Sequence, residues 1–317
     1  GDSRLGLSLA RIDSLSRAGN ANAAIEAATS ALGDARTRGD RAATAWLLTT
    51  RAAVLFFAGR PESAEASARE ALGLARATRD SAVEMRALRW LAAAVEQQGR
   101  LPEAMSFYAR SLALAIQLRD AEHEGWGRVA FAYSALNAGR LDEARTQYQR
   151  AIAAFRSARS RSGEQWALNG LGVVYQAAGD VERARGCYRR IVDNGRAAND
   201  RASVANALNN LGTIEFSRGA PEAAVGLFRE ADLIHRARGD IHGRANTARS
   251  IAVCMTHLGQ FVDAASLLES TLVLCRERGL KRDEASLLEQ LATIRRLEGR
   301  LPEAAELYEE ALRVQRP

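Results

Sequence analysis

The stretch Asp80–Arg119, DSAVEMRALRWLAAAVEQQGRLPEAMSFYARSLALAIQLR, decides the fold. Asp80 is a good helix N-cap, because its carboxylate can accept from the free amides of a first turn. Apolar residues then recur at helical spacing, at Val83, Ala87, Leu88, Leu91, Ala92 and Val95. Gly99 predicts the end of that helix, since glycine takes the left-handed C-terminal position without strain. Arg100-Leu101 read as a turn, and Pro102-Glu103 open a second helix with Ala104, Phe107, Tyr108, Ser111, Leu112 and Ala115 facing inward. Arg119-Asp120 restart the cycle. Two antiparallel helices follow, each about 17 residues, or about 25 Å at 1.5 Å per residue.

Outward from this stretch the pattern repeats without insertion or deletion. Gly19, Gly59, Gly99, Gly139, Gly179, Gly219, Gly259 and Gly299 stand 40 residues apart, and an alanine follows each by five residues, from Ala24 to Ala304. A fixed period of this size is the signature of stacked repeats. Each unit needs its neighbours to cover its apolar face, so the whole chain, 1–317, reads as one solenoid of eight helix pairs. The punctuation agrees. Pro61, Pro102, Pro221 and Pro302 fall in first turns, where a missing N–H costs nothing. Asp40, Asp80, Asp120, Ser160, Asp200 and Asp240 occupy the cap slot of the first helices, and Gly39, Gly239 and Gly279 close second helices. The alanine column faces Ala52, Ala92, Ala132, Gly172, Gly212, Ala252 and Ala292, which permits close backbone approach. Tyr108, Tyr148, Tyr188, Phe228 and Tyr308 fill the space alongside and read as packing.

Leu168-Asn169-Gly170-Leu171-Gly172-Val173-Val174-Tyr175 and Leu208-Asn209-Asn210-Leu211-Gly212 resemble the first helix of a tetratricopeptide repeat (TPR), and Ala184…Tyr188 and Ala224…Phe228 resemble its second helix. The resemblance covers essentially the whole chain, but the period is 40 residues where 34 is usual, so both helices are longer. Repeats of that length resemble the TPR sensor regions of bacterial signalling and regulatory proteins. The resemblance implies an all-α, right-handed superhelix of antiparallel helix pairs, whose first helices line a concave groove for a protein or peptide.

On that basis the groove residues are Trp46, Thr50 and Phe57 in the second repeat, Arg86, Arg89 and Trp90 in the third, and Trp126, Tyr133 and Asn137 in the fourth. The fifth offers Trp166, Asn169 and Gln176; the sixth Asn206, Asn209, Asn210 and Phe216; the seventh Asn246, Arg249, Ser250 and His257. Aromatic and arginine side chains favour binding hot spots, and asparagine amides can both donate to and accept from an extended backbone. The competing reading is that these tryptophans pack against the adjacent repeat. A clamp for a terminal carboxylate, known in some TPR domains, is poorly matched: Asn209, Asn210 and Arg249 are present, but the lysines and the spacing are not.

Composition narrows the alternatives. Lys281 is the only lysine, so the +6 formal charge is almost wholly arginine. Those arginines are interleaved with Glu and Asp in every repeat, which reads as a solvated outer face and argues against nucleic acid. No run approaches the roughly 18–20 apolar residues of a membrane span. Cys187, Cys254 and Cys275 have no metal-type spacing and read as reduced, buried thiols in a cytoplasmic setting. Gly-rich phosphate loops and His-Glu-x-x-His are absent; Cys254 and His257 form a lone pair, and His123-Glu124 near Trp126 carries no triad. The reading is therefore non-enzymatic, with no cofactor and no metal. The alternatives are a small-molecule sensor using Trp90, Trp126 and Tyr133, and end-to-end self-assembly through Leu307, Leu312 and Val314. The glycine start and the uncapped last helix lead us to expect a fragment of a longer protein.

Overall fold

The computed structural model describes residues 2–17 and 20–315; Gly1 and the first repeat glycine, Gly19, lie outside them. The described residues form α-helices and short turns, with no strand. In chain order the helices are α1 (Asp2–Arg17), α2 (Ala21–Thr37), α3 (Arg41–Phe57), α4 (Pro61–Thr78), α5 (Ser81–Gln97), α6 (Leu101–Gln117), α7 (Ala121–Asn137) and α8 (Leu141–Ser157). They continue as α9 (Arg161–Ala177), α10 (Val181–Ala197), α11 (Arg201–Ser217), α12 (Pro221–Ala237), α13 (Ile241–His257), α14 (Phe261–Glu277), α15 (Lys281–Leu297) and α16 (Leu301–Gln315). The chain divides into two compact units, 1–170 and 171–317, the division falling inside α9.

The three-residue links explain why the helices stop and start where they do. After α2, the amide of Gly39 donates to the Arg36 carbonyl and that of Asp40 to the Ala35 carbonyl, each at 3.0 Å. This pair of bonds satisfies carbonyls that a helix end leaves open. The same Asp40 turns its carboxylate forward and accepts from the Ala43 amide at 2.9 Å. One residue thus closes a helix with its backbone and caps the next with its side chain. Asp80, Asp120, Asp200 and Asp240 cap in the same way. Asp180 also caps, ahead of a second helix.

Glycine occupies the left-handed position at Gly99 with φ 81°, but not everywhere. Arg79, Arg119, Arg159 and Asn199 hold it at φ 55°, 55°, 53° and 53°. Four links therefore carry backbone strain that glycine would remove.

In the first unit the core runs from Ile12 through Leu48, Leu88 and Leu91 to Tyr108. In the second it runs from Ala224 through Leu268 and Leu288 to Ala311. The alanine column is fully buried from Ala24 to Ala264, and Ala304 is 3% exposed. A Cβ at Gly172 would stand 2.7 Å from the Tyr188 ring, and one at Gly212 2.7 Å from the Phe228 ring. The aromatic column is packing, as expected: Tyr148, Tyr188 and Phe228 are buried, and the Tyr188 hydroxyl donates to Gln176 Oε1 at 2.7 Å.

Consecutive pairs meet through partners matched in size. Phe155 lies where other second helices carry a smaller residue, and glycine at both Gly125 and Gly163 makes room for its ring. In the second unit the buried His235 sits against Gly243 in the equivalent place. Its Nδ1 lies 2.9 Å from Asp240 Oδ2.

The arginine-rich surface is organised by the period. Arg36–Glu70, Arg69–Glu103 and, in the second unit, Arg196–Glu230 and Arg276–Glu310 link successive second helices at a spacing of 34 residues. Arg76–Glu84, Arg156–Glu164 and Arg276–Glu284 pair at a spacing of eight. These exposed pairs contribute at most about 1 kcal/mol each, less in salt.

Candidate functional site

The candidate residues lie on the first helix of each pair, where an apolar face is buried and the next face over is open. In the first unit they gather into a cluster. One slot in successive repeats holds Trp46, Arg86, Trp126 and Trp166. The Arg86 guanidinium lies over the Trp46 ring at 4.6 Å. Arg89 lies over the Trp90 ring at 4.7 Å and over the Trp126 ring at 4.8 Å. Trp126 and Trp166 meet edge to face at 6.4 Å, and Phe57 meets Trp90 at 5.6 Å. Each arginine–indole contact contributes about 0.5–2 kcal/mol, the more so where water is displaced.

Exposure varies along the cluster. Phe57 is 77% and Trp166 64% exposed, while Trp46, Trp90, Trp126, Arg86 and Arg89 are half-buried. These open rings are contiguous with the others, Phe57 through Trp90 and Trp166 through Trp126, and form one exposed aromatic patch. Tyr133 and Asn137 are exposed further along α7, and Asn169 is half-buried on α9.

Electrostatics set Arg86 and Arg89 apart. Among the described residues neither is in an ion pair with a carboxylate, whereas most arginines discussed above are. Burial lowers the Arg89 pKa to about 10; Tyr108 pulls it back up and the neighbouring Arg86 charge lowers it further. Burial likewise lowers Arg86, against the opposing pull of Asp120 and Glu122. Those two carboxylates are engaged elsewhere. Asp120 caps α7 and lies 2.9 Å from His123 Nδ1, and Glu122 accepts from the Ser160 hydroxyl at 3.1 Å. Burial also lowers the His123 pKa, more than Asp120 raises it, so the imidazole is neutral at pH 7.

In the second unit the candidate residues form no comparable cluster. Asn206, Asn246, Arg249 and His257 are exposed, and His257 meets Phe216 edge to face at 4.8 Å. Several amides are already committed within the fold: Gln176 to Tyr188, Asn209 to the Thr247 hydroxyl at 3.2 Å, and Asn246 to His242 at 3.1 Å. Asn210 also interacts within the fold. Arg249 borders a cleft of about 440 Å³ with Ser286, Glu289, Gln290, Thr293, Tyr308 and Leu312.

Two aromatic participants escape a reading by repeat slot. Phe56 approaches Trp90 at 5.8 Å, and Phe155, from a second helix, approaches Trp126 at 5.1 Å. The off-period glycines Gly125 and Gly163 were the available sign of Phe155. Cys254 is buried while His257, three residues on, is exposed; burial pushes all three thiols up to about 11.

No helix among the described residues is long and apolar enough to cross a membrane. No curated protein matches the sequence. Among solved structures the fold is similar to that of BtubC from P. vanneervenii, at 22% identity and a TM-score of 0.57, covering 68% of this chain and 91% of that one. It is similar to a signal transduction ATPase with a tetratricopeptide repeat sensor from Pyrococcus horikoshii, at 12% identity and a TM-score of 0.71. That match covers 98% of this chain but 53% of the other. A Rap protein complexed with Competence and Sporulation Factor matches at 13% identity and a TM-score of 0.59, covering 99% and 98%. At these identities the likeness is one of fold. The sequence pattern described as tetratricopeptide repeat matches residues 83–157, 164–231 and 243–316, and a second pattern of the same description matches 45–70. With helix pairs, links and small-residue columns all in place, and more than half of its length matching, the chain belongs to the tetratricopeptide repeat family, a protein-interaction scaffold.

Proposed function

We propose that this chain is a non-catalytic recognition module whose first helices hold an extended peptide or partner segment. The observation that carries the reading is the run of Trp46, Arg86, Trp126 and Trp166 in one slot of successive repeats, with guanidinium groups over the indoles. Such rings bury a large area at low entropy cost, which is what binding hot spots require. Regulation, as in the sensor regions that share this fold, is the setting we infer for it.

All four tryptophans lie before Gly170, so intrinsic fluorescence reports on this face alone. Peptides selected on the protein by display are expected to change that fluorescence on binding. Trp126→Ala is expected to weaken them at least ten-fold, with the helical circular dichroism spectrum retained. Affinity within a factor of two of the parent would remove the face from consideration.

The cleft beside Arg249 favours a second reading, a small-molecule sensor, because its volume lies in the range of ligand pockets. A thermal-shift screen of sugars and nucleotides separates the two. A hit lost in Tyr308→Ala supports the sensor.

A further inference from the structure

We propose that Arg86 and Arg89 form an anion seat in the first-helix face of the first unit, and that its occupant is a carboxylate side chain of an acidic peptide segment. This deepens the recognition reading above and rests on it.

The two guanidiniums are neighbours on one face of α5, and the Arg86 charge lowers the basicity of Arg89. Both are half-buried, and among the described residues neither has a carboxylate in ion-pair reach. Asp120 and Glu122 pull on Arg86 from a distance, but neither forms an ion pair with it: Asp120 caps α7 and meets His123, and Glu122 accepts from Ser160. His123 is held neutral and adds no charge. Two adjacent cations in a partly desolvated place are an unfavourable arrangement that an incoming anion relieves. The guanidinium carbons of Arg86 and Arg89 lie 4.6–4.8 Å from the indole ring centroids of Trp46, Trp90 and Trp126. A guanidinium can stack on an aromatic ring and still meet a carboxylate with two parallel N–H bonds. Phe57 and Trp166, both largely exposed, lie at the margins of the cluster and can take apolar side chains flanking the acid. A Lys-rich segment would be repelled by the two cations, and a neutral one would gain no charge attraction from them.

The test uses the full chain and blocked peptides, read by tryptophan fluorescence at low salt: hexaglutamate, hexaglutamine and hexalysine, with inorganic phosphate and a single-stranded oligonucleotide as further arms. Hexaglutamate is expected to bind saturably, at least ten-fold tighter than hexaglutamine, and to weaken as salt is added. Arg89→Gln and Arg86→Gln are each expected to weaken hexaglutamate at least five-fold, while Arg278→Gln, at the exposed end of α14 in the other unit, changes it less than two-fold. Arg89→Lys is expected to recover only part of the loss, because the fork geometry is gone. Equal binding of hexaglutamine, no effect of Arg89→Gln, or tighter seating of phosphate or the oligonucleotide through the same arginines would each overturn the proposal. Neutral peptides selected on the protein that depend on Trp126 but not on Arg89 would overturn the anion seat and leave the recognition reading standing.

Discussion

At the scale of single residues, the links between helices carry strain that the sequence did not need to keep. Arg79, Arg119 and Arg159 sit in the left-handed region, where an L side chain costs roughly 1–2 kcal/mol. Glycine relieves that but adds roughly 0.5–1 kcal/mol of chain entropy to be lost on folding. Each of Arg79→Gly, Arg119→Gly and Arg159→Gly is therefore expected to stabilise the protein by about 0.5–1 kcal/mol, measured by urea denaturation. Glu65 makes a second residue-scale case. Burial would raise its pKa, but hydrogen bonds from Arg100, Arg69 and Gln98 outweigh that and hold it at about 2, from an ordinary value of 4.5. A carboxylate depressed in the folded state stabilises above its unfolded pKa and loses that contribution as pH falls through the folded one. Stability is thus expected to drop between pH 4.5 and 2, and the drop to be shallower in Glu65→Gln.

Between elements, the decisive contacts are those in which one pair of helices is cut to fit the next. Phe155 is fully buried, and a Cβ added at Gly163 would lie 2.2 Å from its ring. Gly163→Ala is expected to destabilise by about 1–3 kcal/mol through overpacking, despite alanine's better helix propensity. Adding Phe155→Leu should restore part of the loss; a double mutant no better than Gly163→Ala would show that the ring is not the obstacle. The repeats are for this reason not interchangeable, although their backbones are alike. His235 over Gly243 and Phe155 over Gly163 are different solutions to the same junction.

For the molecule as a whole, helices contact mainly their neighbours in sequence or the next but one. Stability in such a chain is close to a sum of local terms. Leu288 is fully buried in the second unit, and Leu288→Ala is expected to cost about 2–5 kcal/mol. Amide exchange should quicken in α13 to α16 and stay unchanged in α3 to α5. A uniform acceleration across both sets would contradict that locality.

What the sequence alone determined is what repeats: the helix pair, its 40-residue spacing, the capping aspartates, the prolines of first turns and the buried alanine and tyrosine columns. These follow from backbone hydrogen bonding and nearest-neighbour packing, which a local pattern encodes. It also marked Arg86, Arg89 and the tryptophans as candidates by their slot. Only the tertiary structure decided that Asp120 and Glu122 hydrogen-bond to His123 and Ser160 without forming an ion pair with those arginines, that Phe155 enters from a second helix beside Trp126, and that Gln176 and Asn209 are committed within the fold. The reason is that partner choice depends on side chains brought together from separate helices, such as Ser160 and Glu122, 38 residues apart, and no local period records which of several reachable partners a charge will take.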